Sequence, residues 1–337
     1  MLATNLTMLT ARIMIFATIA FTPVSVMAQH ATPVAGTERE AIADLVRRYY
    51  EIAASGELEA LGDVLAPDFT IRNAPPGEDA GLGGLVFSLE RARASRPDFA
   101  FRIDDLIVEG NAVVVRTTIG GTHLGDFFGL APTGQWIEIP AIDLWHVDQG
   151  KLGAVWHFED ILGMMEQLGI VPADEFGGTP DSAATPRPTT AQPGATTDAS
   201  QVAANVALAR RFRIDVFGQT NLDAADAILA SDFAWHGDVP PGATHVEDQA
   251  RSLREAFPDL ALTVDEVVAE GDRVATLWTL SGTHQGEYLG APPTGSSVTT
   301  SGIDIYRIAA GRIAEIWTVG DDLGLQFQLG AFPGGQT

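Results

Sequence analysis

Apolar residues return at helical spacing from Glu38 to Ala54, where Ile42, Leu45, Val46 and Tyr49 share one face. That spacing predicts a helix. Leu58 to Leu65 suggests a shorter second helix, and Leu85 to Ala94 a third. Beyond them the period drops to two. Phe99 to Val108, Ala112 to His123, Trp136 to Val147 and Leu152 to Phe158 read as strands, parted by the turn signals Glu109-Gly110-Asn111 and Asp148-Gln149-Gly150. Ile161 to Leu168 reads as a short closing helix stopped by Gly169. Helices first and antiparallel strands after them describe an α+β domain, a sheet curled over helices.

The whole pattern then occurs a second time. Gly121-Thr122-His123 returns as Gly282-Thr283-His284, Pro132-Thr133-Gly134 as Pro293-Thr294-Gly295, Asp143 as Asp304, Trp156 as Trp317 and Asp160 as Asp321, each pair 161 residues apart (284 − 123). With small gaps the match extends upstream: Pro97-Asp98 with Pro258-Asp259, Asp68-Phe69 with Asp232-Phe233, and Arg47-Arg48 with Arg210-Arg211. An internal repeat of this size sets the architecture. Two domains are expected, copy one over 38–172 and copy two over 200–333. In copy two the helices fall at Asn205 to Phe217, Leu222 to Leu229 and Val246 to Phe257. Residues 173–199, rich in Thr, Pro, Ala, Gly and Asp, cannot bury enough apolar surface to fold and read as a disordered linker; 29–37 is a similar flexible segment.

Residues 1–28 read as a signal peptide. Arg12 precedes an apolar run from Ile13 to Ala20, and small residues follow up to a cleavage site after Ala28. The run is too short and interrupted for a comfortable membrane span. A secreted or extracytoplasmic location is expected, a retained N-terminal anchor being the alternative, with no stable membrane span after signal removal. The formal net charge of -24, from 20 Lys plus Arg against 44 Asp plus Glu, argues against nucleic acid as partner. The absence of Cys removes disulfides, thiolate metal sites and Cys nucleophiles. Lys151, the only lysine, sits in a turn-like run rather than an apolar pocket, which disfavours Schiff-base chemistry. No phosphate loop, nucleophile elbow or His metal spacing appears, so no metal and no cofactor are expected.

Candidate chemistry comes from residues held in both copies. Alternation along Val113, Val115, Thr117, Ile119 and Gly121 puts His123 on the inward apolar face, as Val274, Thr276, Trp278, Leu280 and Gly282 do for His284. A β-bulge near Gly120-Gly121 would undo that facing. A hydrogen-bonded core histidine is the alternative reading. Along Ala154, Trp156 and Phe158 the inward face leads to Asp160, and along Trp317 and Val319 it leads to Asp321. A carboxylate at the floor of an apolar cavity has its pKa raised toward acid/base use. The competing reading is that each Asp caps the closing helix. Asp143 and Asp304, amid apolar strand neighbours, could lend a second carboxylate or bond a backbone turn. His236 has Arg72 as its nearest equivalent in copy one, with Asn73 next, so the two pockets are expected to differ.

The run from Gly282-Thr283-His284 through Tyr288-Leu289-Gly290 to Pro293-Thr294-Gly295, then Gly302-Ile303-Asp304, Gly311-Arg312-Ile313 to Trp317, and Asp321-Asp322-Leu323-Gly324, resembles the SnoaL-like polyketide cyclase or ester cyclase family of the NTF2-like superfamily. Copy one resembles it through Gly121-Thr122-His123-Leu124-Gly125, Pro132-Thr133-Gly134, Trp156, Asp160, Gly163 and Gln167-Leu168-Gly169. The resemblance implies two tandem cone-shaped α+β barrels, each a curved, mostly antiparallel sheet packed on N-terminal helices around a cavity. It also implies ring closure of the intramolecular aldol type without metal or organic cofactor. Asp160 with His123, and Asp321 with His284, would then be the acid/base pairs. His236 matches a family histidine after the first strand; copy one departs there, which weakens the case for activity in that copy. Substrate contacts are expected from His236, Asp304, Trp317, Trp278 and Tyr288 in copy two, and from Asn73, Asp143 and Trp156 in copy one.

Three functions compete. The first is a cofactor-independent cyclase, lyase or isomerase in which Asp removes a proton alpha to a carbonyl and His stabilises the enolate. The second is a non-catalytic exported protein that binds a small hydrophobic ligand in the same cavities. The third is hydration or epoxide opening, which needs a water-positioning Tyr49, Tyr50 or Asn73 beside the Asp. Pairing through the sheets, as an intramolecular pseudo-dimer or a homodimer, is the expected assembly.

Overall fold

The computed structural model describes residues 36–75, 77–127, 129–171, 198–236 and 246–330. The signal-peptide reading and nearly all of the linker lie outside them. No described helix is long and apolar enough to cross a membrane. The chain divides into two compact units, with the break between Glu159 and Asp160.

Copy one begins with α1 (Gly36–Ser55), whose buried Ile42, Val46, Tyr49 and Tyr50 follow the helical period. A 3-10 turn (Leu58–Ala60) and the short α2 (Leu61–Val64) follow, then β1 (Leu65–Ile71) and α3 (Leu82–Ser95). The sheet continues with β2 (Ala100–Glu109), β3 (Ala112–Thr122), β4 (Trp136–Asp148) and β5 (Lys151–Glu159), and α4 (Ile161–Gln167) comes after it. Copy two repeats the order: α5 (Ala199–Arg211), a π-helical stretch (Phe212–Gly218), α6 (Leu222–Ile228), β6 (Leu229–His236), α7 (Val246–Ala256), β7 (Ala261–Glu270), β8 (Arg273–Thr283), β9 (Ser297–Ala309), β10 (Arg312–Gly320) and α8 (Asp322–Leu329).

Each sheet has five strands, in the orders β1-β5-β4-β3-β2 and β6-β10-β9-β8-β7. β1 and β6 run parallel to β5 and β10; every other pairing is antiparallel. The sheets are open rather than closed barrels, with β1 and β2 as the edges of one and β6 and β7 of the other. The strands β1 and β6 occupy residues that periodicity leaves at the end of a second helix or unassigned. Gln149-Gly150 and Ala310-Gly311 all take positive φ, the geometry of a two-residue hairpin turn that matches the twist of its strands.

One register detail sets which side chains of β5 and β10 face the helices. β4 pairs Val147 with Leu152 and His146 with Ala154, which leaves Gly153 as an extra residue on β5; β9 and β10 do the same at Ala314. A bulge of this kind inverts which side chains face which side of the sheet. Tyr49 of α1 packs edge-on against Trp145 at 4.5 Å, so Trp145 and Asp143 face the helices. Their cross-strand partners Val155 and His157 therefore face the helices too. Ala154, Trp156 and Phe158 lie on the opposite face, contrary to the sequence expectation. In copy two Ile316 and Thr318 face inward, and Trp317 and Val319 do not. On β3 the expected facing holds: Val115 pairs with Asp143, and Thr117 with Ala141.

Candidate functional site

Asp160 and Asp321 are helix N-caps. Asp160 Oδ1 accepts the Gly163 N–H at 2.6 Å, and Asp321 Oδ1 accepts the Gly324 N–H at 2.9 Å. A Cβ on Gly163 would lie 2.0 Å from Asp160 Oδ2, and one on Gly324 would lie 2.1 Å from Asp321 Oδ2. The shared Asp-x-x-Gly spacing thus has a local cause: the carboxylate folds back over the glycine. Asp160 is buried, whereas Asp321 is exposed to solvent.

His123 and His284 lie just past the ends of β3 and β8 and are fully buried. His123 Nδ1 accepts the Thr133 N–H at 3.2 Å and lies 3.1 Å from Thr133 Oγ1; His284 is bound to Thr294 at 3.3 and 3.1 Å in the same way. Accepting a backbone N–H at Nδ1 places the proton on Nε2, which has no hydrogen-bond partner among the described residues in either copy. Burial lowers both pKa values and keeps the rings neutral. Each histidine clamps its own loop, tying Pro132-Thr133-Gly134, or Pro293-Thr294-Gly295, back to the strand.

The other expected contacts divide by face. His236 stacks on Trp317 with ring centroids 5.0 Å apart and reaches Glu315 at 3.2 Å, on the side away from the helices. Arg72 lies 5.9 Å over Trp156 in the matching place of copy one. Trp156, Trp317 and His236 are therefore not in the helix-covered interior. Asn73 spends its amide on the β5 backbone, giving Nδ2–H to the His157 carbonyl at 2.7 Å and taking the His157 N–H at 3.0 Å. Tyr288 packs edge-on against Phe257 at 5.4 Å in the loop after β8. A surface cleft of about 780 Å³ opens between residues 56–60 and Glu90, Arg93 and Ala94; none of the expected site residues lines it.

What the fold does bring together in copy one is a row of polar groups on the inner face. The Tyr50 hydroxyl donates a very short hydrogen bond to Asp143 Oδ2, and His157 Nδ1 meets Asp143 Oδ1 at 2.5 Å. His157 Nε2 lies 3.8 Å from Glu159 Oε2. Burial alone would lower the His157 pKa, but Asp143 and Glu159 outweigh it and hold the ring well above the usual imidazole range. Burial likewise opposes ionisation of Glu159, yet His157 and Arg96 keep its pKa low. Burial also raises Tyr50, with Asp143 adding to the effect, so Tyr50 stays a donor. The imidazole side chain is 39% exposed.

Copy two closes the same place. Arg213, in the position of Tyr50, grips Asp304 through Nε and Nη2, and Asp304 also accepts from Tyr306 at 2.6 Å, Thr318 at 2.9 Å and Trp278 at 3.2 Å. Arg213 sits 4.4 Å over the Trp278 ring. Asp304 is fully buried. A Cβ on Gly302 would come within 2.5 Å of the Trp278 ring, and one on Gly320 within 3.4 Å. Copy one has Thr117, Ala141 and Glu159 at these three positions, so a smaller residue on β3 makes room for a carboxylate on β5. Asp143 and Asp304 thus bond side chains, not a backbone turn. Asp322, next to the cap, has Ile161 as its counterpart; burial and negative neighbours push its carboxyl up to about 7. Among the described residues no group of three or more acidic or His side chains is placed to hold a metal ion.

Residues 43–168 and 207–329, together more than half of the chain, match the family model for SnoaL-like polyketide cyclase. The chain is 28% identical over 128 residues to aklanonic acid methyl ester cyclase AcmA of Streptomyces galilaeus, a match covering 37% of this chain and 88% of that one. Among solved structures it is similar to TsrD of Streptomyces laurentii, at 26% identity over 40% of this chain and 98% of that one, with a TM-score of 0.37. It is also similar to IdmH of Streptomyces antibioticus, at 29% identity over 38% and 98%, with a TM-score of 0.35.

Proposed function

Because the chain belongs to the SnoaL-like polyketide cyclase family through both of its repeats, we propose that it is a cofactor-independent acid–base enzyme of the cyclase class, acting on a small, largely apolar carbonyl compound. The AcmA relative, named as the cyclase of aklanonic acid methyl ester, supports the reaction class. The chemistry is placed in copy one at Asp143, His157 and Glu159 rather than at the caps Asp160 and Asp321 or at the loop clamps His123 and His284. The observation that carries this is the 2.5 Å contact of Asp143 with a half-open imidazole whose far nitrogen lies 3.8 Å from Glu159.

In this reading Asp143 holds the imidazolium by its Nδ1–H, and Nε2–H donates to the substrate carbonyl oxygen. The ionised Glu159 removes the proton alpha to that carbonyl, and the enolate charge develops against Nε2–H. The enolate carbon attacks a second carbonyl of the same molecule and forms the new carbon–carbon bond. The alkoxide so formed takes back the proton from Glu159. His157→Asn and Glu159→Gln should each lower kcat on an identified substrate by about 10²- to 10⁴-fold with unchanged circular dichroism. Asp160→Asn and Asp321→Asn should retain turnover. A His157→Asn/Glu159→Gln double variant that keeps wild-type turnover would sink the proposal.

Export belongs to the same proposal and rests on the apolar run after Arg12. N-terminal sequencing of protein from the culture medium or periplasm should start at Gln29; a mature protein that retains Met1 would refute it.

A further inference from the structure

The inner face of copy one contains a second cation whose N–H groups the reaction above does not use. Arg96 follows α3 and is 3% exposed. Its Nε and Nη1 have no hydrogen-bond partner among the described residues, and its guanidinium lies 5.1 Å over the Phe99 ring. The side chain runs across Gly121, where a Cβ would stand 2.9 Å from Arg96 Cβ and 3.4 Å from Cδ. Gly121 lies in line with Val115, Thr117 and Ile119 on the helix side of β3, so Arg96 is inside the domain, where its charge acts on both His123 and Glu159.

Leaving charged N–H groups buried and unpaired costs stability. The fold does not require that cost. The matching residue in copy two is Phe257, fully buried and packed against His284 at a ring distance of 5.4 Å. An apolar ring therefore fills this position in copy two, where Gly320 also replaces Glu159; in copy one the arginine's charge offsets Glu159, but its Nε and Nη1 N–H groups are left over. Two unused, buried N–H groups beside the Phe99 ring call for an oxyanion. Glu159 and Asp98 are close enough to offset part of the arginine's charge, and the chain as a whole is strongly acidic. One partly neutralised cation suits a single negative charge on an apolar body and disfavours a dianion such as a phosphate monoester.

We infer that Arg96 makes the interior of copy one a site for an organic monocarboxylate, with the carboxylate on the guanidinium and the apolar body on the inner face of the sheet. Copy two, with Phe257 and the Trp278–Arg213 stack in the corresponding places, does not take this ligand. The inference deepens the proposed function by giving the substrate class of copy one, and it rests on that reading for its catalytic meaning alone.

The test is calorimetric titration of the full chain with 2-naphthoate and with methyl 2-naphthoate, for wild type, Arg96→Phe and Arg96→Lys. Wild type should bind the acid at one site per chain, at least tenfold more tightly than the ester. Arg96→Phe, which reproduces the residue of copy two, should lose at least tenfold for the acid and nothing for the ester. Arg96→Lys should recover part of the loss. Thermal melts establish that both variants fold. Equal binding of acid and ester by wild type, an unchanged acid affinity in Arg96→Phe, or no acid binding at all would each overturn the inference. No turnover is read, so failure of catalysis at His157 leaves the titration intact, and failure of the titration leaves the His157 kinetics untouched.

Discussion

Replacing Asp143 with Asn removes the charge that holds His157 protonated while keeping the shape of the side chain. The amide keeps one acceptor: its Oδ1 can take the His157 Nδ1–H while its Nδ2–H₂ faces the Tyr50 hydroxyl, which can accept, but the neutral side chain no longer favours the imidazolium. A hydrogen bond between two charged groups contributes about 1.5–3 kcal/mol. His157 is 39% exposed, and solvent screening reduces this to roughly 1–2 kcal/mol. The pH dependence fixes the sign. The folded-state pKa of His157 is raised, so the pair's contribution is fully present below the unfolded imidazole value of about 6.5 and is lost as pH climbs through the folded value. Thermal melts of wild type and Asp143→Asn from pH 5.5 to 10 should therefore differ by roughly 3–5 °C at the acid end and converge at the alkaline end. A gap that is constant or widens with pH would show that Asp143 does not hold a charged imidazole. In that case the acid role given to His157 fails with it.

Other consequences can be checked on the same protein. Burial, with Asp160 adding to it, pushes Glu166 up to about 7, so its neutral form favours the fold below pH 4.5 and the benefit fades through pH 7. Glu166→Gln should remove that component and flatten urea stability between pH 5 and 8; an unchanged slope would count against the shift. Arg213→Met leaves Asp304 buried without its cation and should cost about 3–5 kcal/mol by urea titration, whereas Arg213→Met/Asp304→Asn should recover part of it. No recovery in the pair would argue against a charge penalty. Asp160→Ala removes an N-cap and should cost about 1 kcal/mol. Gly163→Ala should destabilise as well, because its Cβ collides with the capping carboxylate; stability equal to wild type would contradict the cap.

Much of the fold can be read from periodicity because a buried face imposes a period of 3.6 or 2 on the chain. The helix at Glu38 to Ala54 and the four antiparallel strands of copy one come out this way. β1 and β6 do not: Leu65 to Ile71 has the burial of an edge strand, too short and mixed for alternation to show. The resemblance to a family is carried by matches between the repeats, and those matches turn out to be caps and loop clamps, the parts both copies need in order to fold. Apart from Asp143, which Asp304 matches, the polar groups of the candidate site lie where the copies differ. Tyr50 against Arg213, Arg96 against Phe257, Thr117 against Trp278, His157 against Thr318 and Glu159 against Gly320 all line one face. A comparison of the repeats for disagreement rather than agreement would have found them. His157 is also hidden by the bulge, since strict alternation carried from Leu152 across Gly153 points it the wrong way.

The extra residue at Gly153 acts on β5 as an inserted base acts on a reading frame. Everything downstream keeps its order and changes its meaning. Were the strand one residue shorter, an indole and a phenyl ring would point toward α1, and the imidazole would be carried to the reverse side with its neighbouring carboxylate. The sequence between Leu152 and Glu159 could stay otherwise untouched, and the domain would keep its topology while turning this polar row to the opposite face. A single glycine thus decides which of two adjacent side chains faces the helices.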